Sequence, residues 1–333
     1  MNWFENLMGF TESSPQQVRQ NISIQDSTIT SLINGQSYDY GVLTTPTLQE
    51  LRQQVSEFDW AVGHLSLKEL VADVQQLHAS PLNQGALFRV ASQFNLLEMV
   101  SPRVTPEQEI GIYEYDHTQG PACAIAAGAG TIYRNYFVPV NGQVGQTEDH
   151  QIDCLSDLGL ALGNVDADLW QMKNGYALPS KSGIAVINAT LNQLTEDELD
   201  GLRQLLRVGI QWNTQVTLDD AQHRVSQIYC SALPVAYTEH SPLLWEKFAR
   251  LVLEAAYEAT MCAAILNSVK TGNVKVYLTL LGGGAFGNKP EWIFEAIERA
   301  VHLYRHANLE LIFVSYGKSN PELNHRIKAL NSK

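Results

Sequence analysis

The sequence predicts an α/β fold in which helices cover both faces of a sheet. In the C-terminal third, three buried strand patterns alternate with helix patterns, beginning at RVSQIYCSALPVAY. One of these strands breaks into three glycines before an amphipathic helix, in VYLTLLGGGAFGNKPEWIFEAIERAV (276–301). With 333 residues, 45% hydrophobic and 17% charged, the chain is long enough for one large or two ordinary domains.

The first 64 residues predict an extension that packs on the main body. WFENLMGF is amphipathic, QNISIQDSTITSLINGQSYDYGVLTT alternates like a hairpin around Asn34-Gly35, and TLQELRQQVSEF has helical periodicity. From residue 65 onward, LKELVADVQQLHA starts the alternation of strand and helix, and GALFRVASQF is a β-rich apolar segment. We therefore expect the main domain to cover 65–333.

A loop of about 25 residues follows GALFRVASQF and carries Pro102, Pro106 and several carboxylates. Loops of that length in compact domains are usually functional, so this one is a candidate site. It leads into GPACAIAAGAGTIYRNYF, a helix rich in Ala and Gly that either a ligand or the sheet approaches closely. Residues 139–222 are interpreted as an insertion, with a helix that Thr195 and Glu198 begin as a capping box.

Charge and cysteine spacing limit the classes of partner. The formal net charge of −13, with no Lys/Arg-rich run, argues against direct binding to nucleic acid or anionic lipid. The longest small-apolar run, ACAIAAGAGTIY, is too short to cross a bilayer, and we expect a cytoplasmic protein. The four cysteines form no C-x-x-C pair, so buried free thiols are expected, without a metal site or cofactor.

The glycine loop has two interpretations. Backbone N–H groups and a helix start can hold phosphate, whereas a tight turn in a core needs the same glycines. Gly282, Gly284 and Gly287 have dinucleotide spacing, but Glu310 begins the strand LELIFVSY instead of ending it. A P-loop is excluded because Asn288 separates Gly287 from the following lysine. Spacing alone leaves phosphate binding and a structural turn equally open.

Taken in order, several segments resemble a macro domain, the ADP-ribose-binding α/β fold, nearer to poly(ADP-ribose) glycohydrolase-like proteins. These segments are VASQFN, QGPACAIAAGAG, RVSQIYCSALPVAY, GGGAFGN and LIFVSYG, within about 65–135 and 223–318. The family's Gly-Pro exit after the second buried strand is Leu-Pro here. The resemblance implies a three-layer, macro-domain-like mixed sheet and, as partner, ADP-ribose or an ADP-ribosylated substrate.

The resemblance also implies ligand-binding positions. Asp73 matches the carboxylate that accepts from the adenine amino group, although a helix or strand-end cap explains it nearly as well. Asn95 matches the amide that binds the distal ribose, and Tyr316 an aromatic at the adenosine end, with an ordinary buried tyrosine as the alternative. The diphosphate is assigned to two segments: Gln119, Gly120, Pro121, Ala122 and Cys123, and Gly283, Gly284, Ala285, Phe286, Gly287 and Asn288.

The chain departs from the family where catalysis is concerned, because it has no Glu-Glu pair. Cleavage at C1 of a ribose needs a carboxyl group to protonate the leaving atom or activate water. Glu98 lies three residues after Asn95 and Asp116 four before Gly120, so these two are the catalytic candidates. The long acidic loop favours a hydrolase that releases ADP-ribose from a glycosidic or ester linkage. The missing pair favours a non-catalytic reader of ADP-ribose or a related nucleotide.

Overall fold

Regular elements run through nearly the whole chain. The structure, a computed structural model, describes residues 1–332. The α-helices are α1 (Trp3–Met8), α2 (Pro15–Asn21), α3 (Leu48–Glu57), α4 (Val74–Ala79), α5 (Gln119–Ala126), α6 (Gly128–Tyr136), α7 (Ser156–Leu162), α8 (Lys181–Gln193), α9 (Glu196–Arg203), α10 (Pro242–Thr271), α11 (Pro290–Leu303) and α12 (Pro321–Asn331). The strands are β1 (Ile22–Gln25), β2 (Thr28–Ser31), β3 (Ser37–Asp39), β4 (Val42–Thr44), β5 (Ser66–Val71), β6 (Leu87–Ala91), β7 (Pro139–Val140), β8 (Gln143–Val144), β9 (Trp170–Lys173), β10 (Tyr176–Pro179), β11 (Gly209–Gln215), β12 (Arg224–Cys230), β13 (Lys275–Leu278) and β14 (Glu310–Ser315).

A seven-stranded mixed sheet in the order β4-β11-β12-β6-β13-β14-β5 forms the centre of the molecule. Strands β12, β6, β13, β14 and β5 are mutually parallel, and β11 runs antiparallel to both of its neighbours. The carboxyl ends of the five parallel strands therefore meet along one edge of the sheet, where ligands bind in open α/β folds.

Alternate residues of β12 show that both faces of the sheet are covered. The Gln227 side chain contacts α4 and α5 on one face, donating to the Cys123 carbonyl at 2.8 Å. Cys230, pointing the other way, lies 3.8 Å from the Thr260 hydroxyl on α10. This 30-residue helix begins at a serine cap followed by proline and ends at Gly272 in the left-handed conformation. The predicted α/β class, with helices on both faces of a mixed sheet, is confirmed.

Two parts of the chain that the sequence sets apart contribute the first two strands at one side of the sheet. β4, from the first 64 residues, pairs with β11, from the stretch 139–222. Asn34-Gly35 turns β2 into β3, so the hairpin prediction there is confirmed. Thr195 and Glu198 form the predicted capping box at α9. The division into an extension, a main domain and an insertion remains a proposal.

An ion-pair cluster ties these additions to the helices behind the sheet. Arg52 on α3 bridges Asp200 on α9 and Glu258 on α10, and Arg299 on α11 contacts the same two carboxylates. Burial alone would raise the pKa of Glu258, but hydrogen bonds from the two guanidinium groups outweigh burial and hold it below its usual value. None of the helices within residues 1–332 has the length and apolar character that crossing a membrane requires.

Candidate functional site

A cleft lies at the carboxyl edge of the parallel strands and consists of two adjoining chambers. The Trp3 chamber, of about 450 Å³, reaches Asp73 and Tyr316. The Glu98 chamber, of about 300 Å³, reaches the glycine loop. The two share four wall residues: Asp116, Thr118, Gln119 and Thr279. A long, thin ligand could therefore occupy both at once.

Glu98 is the least solvated acidic group of this cleft, with only 3% of its surface exposed. Its Oε1 atom has no hydrogen-bond partner among residues 1–332, and its backbone N–H donates to the Tyr113 hydroxyl at 3.0 Å. Burial raises the pKa of the Glu98 carboxyl well above its usual value, and the nearby Arg134 charge does not offset this. Burial therefore favours the neutral acid, a form that can donate a proton.

Gly120 makes room for this carboxyl group. A Cβ atom at position 120 would clash with Oε2 of Glu98 and with the Ala91 carbonyl. Only glycine lets the start of α5 approach the acid and the end of β6 so closely. The role of Gly120 in the folded protein is thus to seat Glu98.

Asp116 occupies the junction of the two chambers. It follows the 3₁₀ turn Gly111–Tyr115, and its Oδ1 atom accepts from the Thr118 N–H at 2.9 Å. Its side chain is half-buried and lines both chambers. The cleft therefore contains one carboxyl group in a dry environment and another in contact with water, the kind of contrast that separates an acid from a base.

The segment expected as the first diphosphate loop is instead the start of α5. Of its first three residues, Gln119 and Gly120 carry backbone N–H groups and Pro121 has none. The Gln119 side chain donates to the Arg89 carbonyl at 2.7 Å and accepts from the Ala91 N–H at 3.0 Å, which fastens α5 to the end of β6.

Within this predicted set, the positions differ in their access to the cleft. Pro121 lines the Glu98 chamber and Ala122 the Trp3 chamber. Cys123 is fully buried, and its sulfur receives a hydrogen bond from Gln119 instead of facing the cleft. Among residues 1–332 all four cysteines are buried and free.

The glycine loop after β13 presents unpaired amides. The N–H groups of Gly284, Ala285 and Phe286 donate to no acceptor within residues 1–332, and these residues line the Glu98 chamber. Consecutive amides of this kind form a concavity that binds anions. A Cβ on Gly284 would meet no atom within 4 Å, so the space in front of the loop is open.

The remaining loop positions hold the loop together. The Asn288 side chain is buried and donates to the Leu233 carbonyl at 2.9 Å, and its N–H donates to the Gly282 carbonyl. Gly287 adopts φ +70°, a conformation that favours glycine. Gly283, Gly287 and Asn288 line neither chamber.

At the other end of the cleft, Asp73 and Tyr316 both line the Trp3 chamber. Asp73 caps α4, because its Oδ1 atom accepts from the Gln75 N–H at 2.7 Å. The alternative interpretation as a cap is thus realised, and the residue still faces the cavity. Tyr316 is 81% exposed, so its alternative interpretation as an ordinary buried tyrosine is wrong.

Asn95 does not reach the cleft, which corrects its expected position beside the ribose. Its Nδ2 atom donates to Gln151 at 2.9 Å, and its Oδ1 atom accepts from the Leu97 N–H. The side chain is fully buried and lines neither chamber. The chain turns tightly after β6, with Leu96 at φ +65°, and the Asn95 side chain contacts the inserted stretch at Gln151.

Three aromatic wall residues are not among the residues that the sequence predicts for the site. Trp3 in α1 lines its chamber and donates through Nε1 to the Ile110 carbonyl at 3.0 Å. Tyr176 in β10 and Tyr237 after β12 line the Glu98 chamber beside Phe286. No local pattern marks them, because long-range packing alone brings them there.

The first segment of the chain also fixes the loop that carries Asp116. The Glu12 carboxyl accepts hydrogen bonds from the Gly111 N–H at 2.7 Å and the Tyr136 hydroxyl at 2.5 Å. Burial is the main reason that the pKa of Glu12 is raised. Within residues 1–332, no group of three or more His, Cys, Asp or Glu side chains is arranged to hold a metal ion.

Comparison with known proteins gives structural neighbours only. No protein-family model and no curated protein sequence matches the chain. It is similar to poly(ADP-ribose) glycohydrolase from Deinococcus radiodurans in complex with ADP-ribose, with 10% identity and a TM-score of 0.45 over 87% of this chain and 94% of that one. It is also similar to the glycohydrolase from Thermomonospora curvata bound to the inhibitor ADP-HPD, with 12% identity and a TM-score of 0.44 over 95% of each. At these values the likeness assigns neither ligand nor activity.

Proposed function

We propose that this protein binds ADP-ribose and hydrolyses a glycosidic or ester linkage to its distal ribose. The observation that carries the proposal is Glu98, a buried and unpaired carboxyl group with a raised pKa, which lines a cleft at the carboxyl edge of a parallel sheet. A structural carboxyl group would ordinarily be paired when it is buried so deeply. Perturbed groups of this kind are concentrated at functional sites.

The two chambers suit the parts of the proposed ligand. The adenine would lie against Asp73 and Tyr316. Its amino group would donate to the Asp73 carboxylate, and its ring would pack on the Tyr316 ring. The diphosphate would lie between the start of α5 and the amides of 284–286. Within residues 1–332 no Lys or Arg side chain lines either chamber, so backbone N–H groups would supply the binding of the phosphates.

The distal ribose would then lie against Glu98 and Asp116. In the proposed reaction the bond between C1 and the leaving atom breaks, and Glu98 gives its proton to that atom. A water oxygen bonds to C1, and Asp116 takes the proton that the water loses. Proton exchange with solvent restores both groups. The opposite environments of the two carboxyl groups support this division of roles.

Binding and catalysis can be tested one after the other. The melting temperature would be measured with ADP-ribose, ADP, NAD and inositol phosphates, and ADP-ribose should raise it most, because a ligand bound only by the native state stabilises that state. No shift with any nucleotide would overturn the proposal. Release of ADP-ribose from O-linked and N-linked substrates would be measured next. Binding without release from any substrate would favour the non-catalytic reader.

A further inference from the structure

Three aromatic rings form one wall of the Glu98 chamber, and we call them the aromatic patch: Tyr176, Tyr237 and Phe286. Their ring centroids lie 5.1 to 5.6 Å apart at interplanar angles of 45° to 76°. Tyr176 is fixed because its buried hydroxyl donates to the Met99 carbonyl at 2.7 Å. Tyr237 is 37% exposed, so the patch presents ring surface to the chamber.

In the part of the chain that the structure describes, no cationic side chain belongs to the wall of this chamber; the Arg134 charge acts on Glu98, but Arg134 does not line the chamber. Within residues 1–332 no Lys, Arg or His side chain lines it, and its acidic side chains are Glu98 and Asp116. Several apolar side chains complete the wall: Met99, Val100, Leu280, Leu281 and Ala285. A second phosphate-bearing unit would meet an acid and a hydrophobic surface, with no cationic side chain of residues 1–332 in the wall to pair with it. A positive group would meet both a carboxylate and the electron-rich faces of aromatic rings.

We propose that the group joined to the distal ribose in the substrate is a planar cation, either a pyridinium or a guanidinium. This inference rests on the proposed function, because it assumes that the ribose lies beside Glu98. A flat cation can stack on Tyr237 or Phe286, and Asp116 adds charge attraction. The linkage to such a group is N-glycosidic. A guanidinium nitrogen can take the Glu98 proton as it leaves, whereas a pyridinium leaves as a neutral ring and needs no proton donor.

Affinities for four ligands test the inference on the Glu98→Gln variant, with each ligand assayed for breakdown before and after the measurement. The ligands are ADP-ribose, NAD, NADH and ADP-ribosylated agmatine, measured by calorimetry. NAD and NADH have almost the same size, but only NAD carries a planar cation on the ribose. We expect NAD or the agmatine conjugate to bind at least about fivefold more tightly than NADH. Whichever of the two is preferred identifies the cation as pyridinium or guanidinium.

Variants of the wall complete the test. In the Glu98→Gln background, Tyr237→Leu should remove most of the preference for the cationic ligand over NADH. The affinity for ADP-ribose, which lacks the cationic group, should change less than about twofold. Tyr115 is 75% exposed and lines neither chamber, so Tyr115→Leu is the matched control. If ADP-ribose binds and neither cationic ligand binds more tightly than NADH, the inference is overturned and the proposed function survives. If ADP-ribose itself does not bind, the proposed function fails first. An equal loss for all ligands in Tyr237→Leu would also overturn the inference.

Discussion

Replacing Glu98 with Gln should lower turnover by about 100-fold or more and at the same time stabilise the folded protein. A proton donor in a glycoside hydrolase contributes about 100-fold or more to the rate, and the amide cannot supply a proton. The carboxyl group is buried and has no partner for Oε1 within residues 1–332. Its ionised form is therefore costly, whereas Gln has nearly the same shape and no charge.

The sign of the stability effect follows from the direction of the pKa shift. Burial raises the pKa of Glu98 above the ordinary value of 4.5, so the folded state holds the proton more tightly than the unfolded state does. The favourable contribution is complete below pH 4.5 and is lost as the pH rises through the folded-state pKa. Each unit of pKa difference corresponds to about 1.4 kcal/mol. With about 2.1 cal/mol/K of unfolding entropy per residue, 1 kcal/mol shifts the melting temperature of this chain by roughly 1.4 °C.

Melting temperatures between pH 4 and pH 8 provide the measurement, and the release assay provides the activity. The variant should melt about 2 °C higher per unit of pKa difference at neutral pH and lose this advantage below pH 4.5. Glu239→Gln, which removes an exposed carboxyl group, is the matched control. A Glu98→Gln variant that is less stable than wild type at pH 7, or stabilised equally at every pH, would refute the claim that burial raises the pKa of Glu98.

Three further predictions concern binding and rate. Gly284→Trp should leave the melting temperature unchanged, because a Cβ there meets nothing within 4 Å, but should weaken the affinity for ADP-ribose more than about tenfold in calorimetry. Gly282→Ala should instead lower the melting temperature, because its Cβ would lie 2.5 Å from that of Ala232. Asp73→Ala should weaken ADP-ribose by about 1 to 3 kcal/mol and leave ribose phosphate unaffected, and an equal loss for both ligands would place the residue elsewhere; Asp73→Asn keeps the helix cap and separates the two effects. Asp116→Asn should lower turnover by about 100-fold with nearly unchanged ADP-ribose affinity, and an unaffected rate would remove Asp116 from the mechanism.

Local chemistry was enough to predict much of the architecture. Hydrophobic periodicity depends on residues close together in the chain, so the sequence predicts the order of strands and helices in the C-terminal third. The structure confirms this order. The capping box at Thr195 and the turn at Asn34-Gly35 depend only on residues a few positions apart, and both form as predicted. The glycine loop also came from local pattern, whereas the two candidate carboxyl groups came from their spacing to Asn95 and Gly120, which the resemblance implies; all these roles remain proposals.

Tertiary structure decided what surrounds those groups. Asn95 and Glu98 are three residues apart, yet the turn at Leu96 sends one to the inserted stretch and leaves the other in the cleft. Trp3 and Tyr176 reach the cleft walls through contacts with segments more than 70 residues away, which no periodicity records. The direction of the Glu98 pKa shift likewise depends on burial, which only the folded chain supplies. The sequence alone determines which groups are present, and burial by long-range packing determines their pKa values and which of them meet.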